Sequence, residues 1–497
     1  MAKLNEDILF LLFEELQDDP KSLFSCLMVN KFWCETTIPI LWRNPWNYEN
    51  NINYKNKSSL YHIIINSLSN DKKEFLKSQE VQLPPISRHP ILFDYLSFCK
   101  GINVNVINDI IPIGTSTYNR FLLKQEIYIL LMGKCLNLKY LDIRSIEHQI
   151  FYFPEAKARL NSLCELKFDT SIDSIYFYGL ARICDNIEKL IIINTILKIN
   201  HGIIKLIEVQ RNLKYFEWND DIDNFMELDD IYEEIFLTLA KKAHTLTHFI
   251  TNFHDEFEYT FPPKILPELR NLKTLKLNFH PTFEFYYYEK LVNSVYYNLE
   301  ILQLGNFTYL DTVACIIKNT GGRIRKILID NYYTIEDKYH FYDGFIFLIG
   351  IIYDNCPLIE SLSLALSSSE GLLVEFEKLL KVCHNLKVLE LSMSSIDEME
   401  ESHERLSASR EELLKILIRS ASFNLREINF FEYFKFTLET LENFLENWRG
   451  RCALSIFVPD FDDHEEEKYT DMINRFKNDG VLKDFKRVIK REMNIDN

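Results

Sequence analysis

The chain has 497 residues, enough for about three ordinary domains or for one long array of repeats. Its hydrophobic content of 47% and charged content of 26% are typical of a globular protein, and its longest apolar run, residues 345–353, is half a membrane span. The composition therefore excludes a chain that is disordered throughout and a polytopic membrane protein. The net charge of −17 opposes binding to phosphate backbones, so we expect no nucleic-acid partner, and the short apolar runs predict no membrane partner.

Glycine and cysteine usage narrows the range of functions further. The chain has 13 glycines and no G-x-G, Walker-type or G-x-S-x-G motif, so phosphate-binding loops of the usual kind are not expected. It has ten cysteines without a C-x-x-C pair, and its first apolar run, residues 8–13, stops at two glutamates. These features predict an intracellular protein, cytoplasmic or nuclear, with reduced thiols and no secretory signal. We expect no enzymatic activity and no cofactor.

Residues 1–46 predict three short helices. The first is indicated by one amphipathic stripe of apolar residues, namely Ile8, Leu9, Leu12, Phe13 and Leu16. Asp19 followed by Pro20 predicts the start of a second helix, and Pro39 is expected to break the third helix past its middle. So small a unit cannot bury all of its large apolar side chains, so some are expected to lie against a partner.

Residues 47–134 are expected to form a helical linker and N-terminal cap. Residues 44–56 contain six asparagines and predict a connector. Helical spacing then appears in residues 60–68, 91–99 and 121–132. These helices are expected to cover the apolar face that a first repeat would otherwise expose to water.

Residues 135–458 contain about twelve copies of the motif L-x-x-L-x-L. The first apolar residue of each copy lies at positions 138, 163, 187, 213, 246, 272, 299, 324, 359, 386, 425 and 453, with a median step of 27 residues. The last two apolar positions are two residues apart, which is strand periodicity, and helical spacing follows each strand. The pattern predicts an α/β fold with stacked parallel strands and outer helices, with residues 459–497 as an acidic C-terminal cap or tail.

The repeats resemble leucine-rich repeats of the long, cysteine-containing kind. That resemblance implies a solenoid with a concave parallel sheet. The order of features in residues 1–46 resembles an F-box, and the closest likeness is to fungal F-box proteins with leucine-rich repeats. The residues that carry it are Leu4, Asp7, Ile8, Leu9, Pro20, Leu23, Cys26, Leu27, Val29, Asn30, Lys31, Trp33, Leu41 and Trp42. Asn5 stands where the family pattern usually has proline.

Carried over by motif position, the F-box resemblance implies which residues form the core of the box and the face that docks a Skp-family adaptor. They are Leu4, Ile8, Leu9, Leu23, Leu27, Val29, Trp33, Leu41 and Trp42. An F-box before a repeat array implies the substrate-recognition subunit of a cullin-based SCF E3 ubiquitin ligase. The alternatives are a leucine-rich-repeat scaffold protein without ubiquitin-ligase association and an enzyme with a site hidden in the repeats, which no motif supports.

Strand alternation predicts which residues face away from the core and could bind a protein target. They are Tyr215, Glu217, Asn219, Thr274, Lys276, Asn278, Glu427, Asn429 and Phe431. Two kinds of insertion between repeats add candidates, because insertions in a solenoid form loops that often serve binding. Acidic insertions that contain Asp220, Asp221 and Asp223 would suit a basic target, and an aromatic insertion contributes Tyr332 and Tyr333.

Possible metal ligands are better explained by the repeat itself. Four cysteines share one position of the repeat, namely Cys135, Cys184, Cys356 and Cys383. Zinc sites usually take paired ligands that are close in sequence, so buried structural thiols are expected instead. His244 and His248 have helical spacing but lie in a predicted strand segment, so no metal site is expected.

Overall fold

The computed structural model describes most of the chain. The described residues are 5–46, 55–85, 91–112, 115–196, 198–222, 232–253, 258–259, 264–278, 280–281, 293–305, 310–330, 338–366, 369–393, 403–431, 434, 436–459 and 466–487. The chain divides into two compact units, Met1–Glu227 and Leu228–Asn497.

The first unit begins with helices and continues as strand–helix repeats. Its helices are α1 (Glu6–Glu14), α2 (Pro20–Leu27), α3 (Lys31–Leu41), α4 (Lys55–Ser67), α5 (Asn70–Ser78), α6 (Val104–Ile110), α7 (Thr117–Lys134), α8 (Ala156–Leu160), α9 (Ser174–Ala181) and α10 (His201–Val209). Short 3-10 turns lie at Tyr95–Phe98 and Ile150–Tyr152. Its strands are β1 (Gly101–Asn103), β2 (Tyr140–Asp142), β3 (Glu165–Asp169), β4 (Lys189–Asn194) and β5 (Tyr215–Asp220), and they pair in parallel in sequence order.

The second unit continues the alternation of strands and helices. Its helices are α11 (Glu233–Ala240), α12 (Leu310–Lys318), α13 (Lys338–Asn355), α14 (Glu370–Val382), α15 (His403–Ser420), α16 (Leu438–Asn447) and α17 (Glu466–Asn478), with a 3-10 turn at Leu266–Glu268. Nine strands pair in parallel: β6 (His248–Asn252), β8 (Thr274–Asn278), β10 (Ile301–Gly305), β11 (Lys326–Asp330), β12 (Ser361–Leu366), β13 (Val388–Met393), β14 (Glu427–Phe431), β15 (Leu454–Val458) and β16 (Leu482–Arg487). Two short strands, β7 (Glu258–Tyr259) and β9 (His280–Pro281), pair separately.

The register of the sheet follows the repeat motif. Leu141, Leu166 and Leu190 lie side by side on neighbouring strands, and the same motif position is aligned from β8 through β15. These side chains are buried, because alternation along a strand turns every second residue toward the core. Eleven of the twelve predicted copies begin their strand two residues after the first apolar position, and the copy at Ala453 begins one residue after it. The protein is an α/β repeat solenoid with a parallel sheet and outer helices.

The helices that follow the strands pack on one another in chain order. In the first unit α9 contacts α10, and in the second unit each helix from α12 to α16 contacts the helix that follows it. A Cβ at Gly202 in α10 would clash with the carbonyl oxygen of Ser174 in α9, so this close approach of the two helices requires glycine. α14 buries Leu372 and Phe376, as its helical spacing predicts.

Strands also lie outside the range of the twelve motif copies. β1 precedes the first copy, and β16 follows the last copy and pairs with β15. The predicted helix at residues 91–99 is wrong in extent, because the described chain there forms only the 3-10 turn Tyr95–Phe98. α4 covers the predicted segment 60–68 except for its last residue, and α7 includes the whole of 121–132.

The recurrent cysteine position links one repeat to the previous one. The Cys184 thiol donates a hydrogen bond to the carbonyl oxygen of Leu160 at 3.4 Å. In the next repeat Gln210 takes this position, accepts from the Ile187 amide at 2.8 Å and donates to the Cys184 carbonyl at 2.9 Å. The side chain at this position therefore forms hydrogen bonds with backbone groups of the previous repeat. Buried amides and carbonyls require such partners.

A histidine is buried where α7 meets the first repeats. The His148 ring stacks on Phe121 with 4.0 Å between centroids, and its Nε2 lies 3.0 Å from the Phe121 carbonyl oxygen. Its Nδ1 has no hydrogen-bond partner among the described residues. Burial lowers the pKa of His148 and outweighs the hydrogen bond to the Phe121 carbonyl and the charge of Glu147, which act to raise it, while Lys124 adds to the lowering. The folded protein therefore favours the neutral imidazole.

We predict that His148 makes stability depend on pH on the acidic side of neutrality. The unfolded chain takes up the proton near its ordinary pKa of about 6.5, before the folded chain does. Stability is therefore fully present above about pH 6.5 and declines as the pH falls toward the lowered pKa of the folded state. Urea unfolding midpoints measured between roughly pH 7.5 and 5.5 should fall less in His148→Phe, which keeps the stack on Phe121, than in the wild type. Equal slopes in the two proteins would contradict the prediction.

Candidate interaction surfaces

The three N-terminal helices fold around a small core of their own. Its buried members are Leu9, Phe13, Leu23, Ile40 and Leu41, against which Leu16, Cys26, Leu27, Trp33 and Trp42 pack. The Phe13 and Trp33 rings meet edge to face with 5.2 Å between centroids. This core joins the two ends of the predicted box, so residues 5–46 form one packed module.

Local capping sets where the second and third helices begin. The Asp19 carboxylate accepts from the Ser22 amide at 3.1 Å, and Pro20 occupies the first turn of α2, as predicted. The Asn30 side chain accepts from the Trp33 amide at 2.9 Å and caps α3. The predicted break at Pro39 is wrong, because α3 continues through it to Leu41. A proline in the last turn costs the helix only one hydrogen bond close to its end.

Arg43 holds the end of the module against α1. Its guanidinium pairs with both carboxylate oxygens of Glu14, and the Nη1–Oε2 distance is 2.7 Å. These hydrogen bonds hold the pKa of Glu14 below its ordinary value. The two side chains are partly buried, so the pair is less screened than an exposed one.

The module is anchored to the linker and first repeat of the same unit. The Arg43 carbonyl oxygen accepts from the Lys100 amide at 2.8 Å and from the Tyr140 hydroxyl at 3.1 Å. The Trp46 indole donates to the Gly101 carbonyl oxygen at 2.7 Å. Hydrogen bonds to β1 and to the start of β2 thus fix the end of the module to the first strands of the sheet.

The nine residues predicted for the box divide between its interior and its surface. Leu9, Leu23 and Leu41 are buried, and Leu27, Trp33 and Trp42 are partly buried. Ile8 and Val29 are about half exposed, and Leu4 lies outside the described residues. The predicted single stripe on α1 is therefore wrong, because Leu9 and Phe13 face the core while Ile8 and Leu12 do not.

Large apolar side chains are concentrated on the outside of the module. This exposed apolar cluster consists of Ile8, Phe10, Leu11, Leu12, Phe24, Met28, Val29 and Phe32. Leu11 is 65% exposed and Met28 is 86% exposed. Of the eight, only Ile8 and Val29 were among the predicted site residues. The available signal is the sequence ILFLLF of residues 8–13, because a helix that is apolar all round must bury more than one face.

The open face of the sheet in the first unit carries paired polar side chains. Tyr215 donates its hydroxyl to Glu217 at 2.6 Å, and the Asn219 amide donates to the other Glu217 oxygen at 2.8 Å. Lys189 on the next strand lies over the Tyr215 ring at 4.9 Å and pairs with Glu165. Tyr215 and Asn219 are partly exposed, but Glu217 is buried by these neighbours and offers little surface to a target.

Four predicted target residues of the second unit also lie on the open face. Lys276 and Asn278 alternate with buried leucines of β8, and Asn429 and Phe431 alternate with buried residues of β14. The Asn429 amide donates to Glu427 at 3.0 Å, which repeats the pairing of Asn219 with Glu217. The side chain of Thr274 is buried between neighbouring strands, so its predicted exposure is wrong.

The acidic segment after β5 differs from the prediction at its first residue. Asp220 belongs to β5 rather than to a loop, and its Oδ1 accepts from Asn194 and from the Trp218 indole, both at 2.9 Å. Asp221 follows the strand and is exposed. Asp223, Tyr332 and Tyr333 lie outside the described residues.

The cysteines at the recurrent position are buried thiols, as predicted. All ten cysteines are free. Burial raises the pKa of Cys184, Cys356 and Cys383 to about 12, so these groups stay protonated at neutral pH. Within the described ranges, no cluster of three or more His, Cys, Asp or Glu side chains is placed to hold a metal ion.

We predict that Asp220 supports the fold, whereas Asp221 does not. Asp220→Ala removes an acceptor that Asn194 and Trp218 share inside the sheet, at an expected cost of about 1–3 kcal/mol. Asp221→Ala, the adjacent matched control, should change the free energy of unfolding by less than about 0.5 kcal/mol. Chemical denaturation of both variants measures the difference, and equal values would show that Asp220 is only a surface charge.

None of the helices described is both long enough and apolar enough to cross a membrane. The sequence matches no protein-family model and none of the curated proteins. Among solved structures, the chain is similar to the crystal structure of the Rad7 and Elc1 complex in yeast. The identity is 12% and the TM-score 0.36, over 88% of this chain and 97% of that chain.

Proposed function

We propose that this protein is the substrate-recognition subunit of a cullin-based SCF E3 ubiquitin ligase. Its N-terminal module docks a Skp-family adaptor, and its repeats bind a protein target. The exposed apolar cluster is the observation that carries the proposal. Its side chains lie outside the buried core of the module, on a surface that a partner would cover.

The arrangement of α1 supports a docking role for the cluster. Leu9 and Phe13 point into the module, while Ile8, Leu11 and Leu12 lie one turn apart on another side of the helix. Phe24 and Met28 are similarly placed on and just after α2. Apolar surface of this kind is costly in water and gains free energy when a partner covers it.

The proposed role requires no bond chemistry in this chain. A ligase receptor works by proximity, because it holds a target lysine near an enzyme that carries ubiquitin. Such positioning benefits from a fixed connection between the adaptor-binding module and the array. The hydrogen bonds from Lys100 and Tyr140 to the Arg43 carbonyl supply one in the first unit.

The open faces of the strands in each unit are the proposed target-binding surfaces. Their partly exposed residues include Asn219, Lys276, Asn278 and Phe431, which offer hydrogen bonds, a cation and an aromatic ring. Asp221 lies at the end of β5. Together with the net charge of −17, it favours a target segment that is basic, through steering of the encounter.

We predict that the double substitution Leu11→Ser and Met28→Ser weakens adaptor binding. Truncation of two interface anchors should cost about 2–4 kcal/mol together, or roughly 30- to 700-fold in Kd. Isothermal titration of the purified chain with a Skp-family adaptor measures the change. Stability should be preserved because both side chains are exposed. Leu9 is buried and Trp33 packs against the core, so Leu9→Ala and Trp33→Ala would also weaken the module itself and are less informative.

The matched control is Ile175→Ser with Tyr178→Ser on α9, where two apolar side chains are exposed in the same unit but outside the module. This control should bind adaptor as the wild type does. Equal losses in both double variants would indicate non-specific contact. Failure of the wild type to bind any Skp-family adaptor would favour the scaffold alternative.

We predict that Phe431 contributes to target binding and that Phe423 does not. Phe431 ends β14 on the open face, whereas Phe423 precedes the same strand in a turn and is 74% exposed. In affinity purification with the proteasome inhibited, the Phe431→Ser protein should carry about fivefold less bound target protein than the wild type, while the amount of bound adaptor stays constant. Phe423→Ser should recover both normally. The same set of proteins at equal yield from both variants would place the target surface elsewhere.

A further inference from the structure

A cavity of about 450 Å³ lies in the first unit, behind the N-terminal module. α2 and α3 contribute Phe24, Leu27 and Leu41 to its walls, and α4 contributes Leu60 and Ile63. The volume is within the range of sites that bind small molecules, which is about 300–1,000 Å³. The cavity is distinct from the open face of the sheet, and a ligand bound there would not require the proposed ligase function.

The electrostatics of the lining favour an uncharged occupant. Lys57 is the one charged side chain among the described lining residues, and its Nζ lies 3.1 Å from Asp109 Oδ2. The pair leaves no net charge at the wall. An ionised ligand would lose its hydration there without gaining an opposite charge, which is unfavourable.

The shape and chemistry of the lining favour a ring-containing occupant. Trp42 and Tyr95 lie together with 4.6 Å between ring centroids and an angle of 36° between planes. Both line the cavity and offer it an aromatic wall. The indole N–H of Trp46, another lining residue, is already bonded to Gly101. A ligand therefore meets mostly apolar and aromatic surface.

We propose that this cavity binds a neutral, mainly apolar small molecule with an aromatic or alicyclic ring. The bound molecule would join α2 and α3 to α4 and to the turn at Tyr95–Phe98. Phe24 lines the cavity and also belongs to the exposed apolar cluster, so occupancy would fix a side chain of that cluster. The site could thus couple a small molecule to binding at the surface of the module.

Ser59 on α4 provides the test, because it lines the cavity and is exposed. Ser59→Trp adds a large ring at the cavity wall, and Ser58→Trp makes the same change at the adjacent exposed position, which does not line the cavity. The full-length chain is titrated with Nile red, an uncharged apolar dye, and with anilinonaphthalene sulfonate, an anionic one. Thermal unfolding confirms that both variants are folded.

The wild type should bind Nile red saturably, and more tightly than the anionic dye. Ser59→Trp should weaken Nile red binding about tenfold or more, since small misfits in an apolar pocket already cost 10–200-fold. Ser58→Trp should bind as the wild type does. Equal effects of the two substitutions, or no saturable binding by the wild type, would overturn the proposal. A preference for the anionic dye would also overturn it. The same holds if Nile red binding is lost in the Leu11→Ser and Met28→Ser protein and not in Ser59→Trp.

Discussion

The parallel register of the strands is the constraint on which the repeat structure depends. Each strand places the same motif leucine beside that of its neighbour, as Leu141, Leu166 and Leu190 show in the first unit. A shift of one residue would turn every apolar side chain of a strand from the core to the open face. The register that buries the leucines therefore also places the polar residues between them on the open face. The candidate target surface is a consequence of how the core packs.

Some polar groups on that face are bonded within their own strand, and others pair across neighbouring strands, as Lys189 does with Glu165. Tyr215, Glu217 and Asn219 form one chain of hydrogen bonds, and Glu427 with Asn429 repeats part of it in the second unit. Side chains fixed in this way lose little further freedom when a partner binds. Their pairing also shields Glu217, so the residues that present surface to a target are fewer than strand alternation alone would suggest.

The N-terminal module differs from the sheet, because many of its large apolar side chains are exposed. One side of α1 packs into the core, and the other side, which carries Leu11 and Leu12, is exposed. Caps at Asp19 and Asn30 and the pair of Arg43 with Glu14 add to this core in holding the helices in place. The same Arg43 residue, through its backbone carbonyl, ties the module to Lys100 and Tyr140. Side chain and main chain of one residue thus serve two different attachments.

The sequence by itself determined the features that depend on neighbours along the chain. Strand positions follow from alternation over a few residues, and the start of α2 follows from Asp19 and Pro20. Only the tertiary structure decided features that depend on distant residues. The side of α1 that is buried depends on Leu23 and Leu41, and the structural role of Asp220 depends on Asn194, 26 residues away. Periodicity records that a helix has apolar faces, but it does not record which face the rest of the chain will cover, because that choice is made by packing between elements.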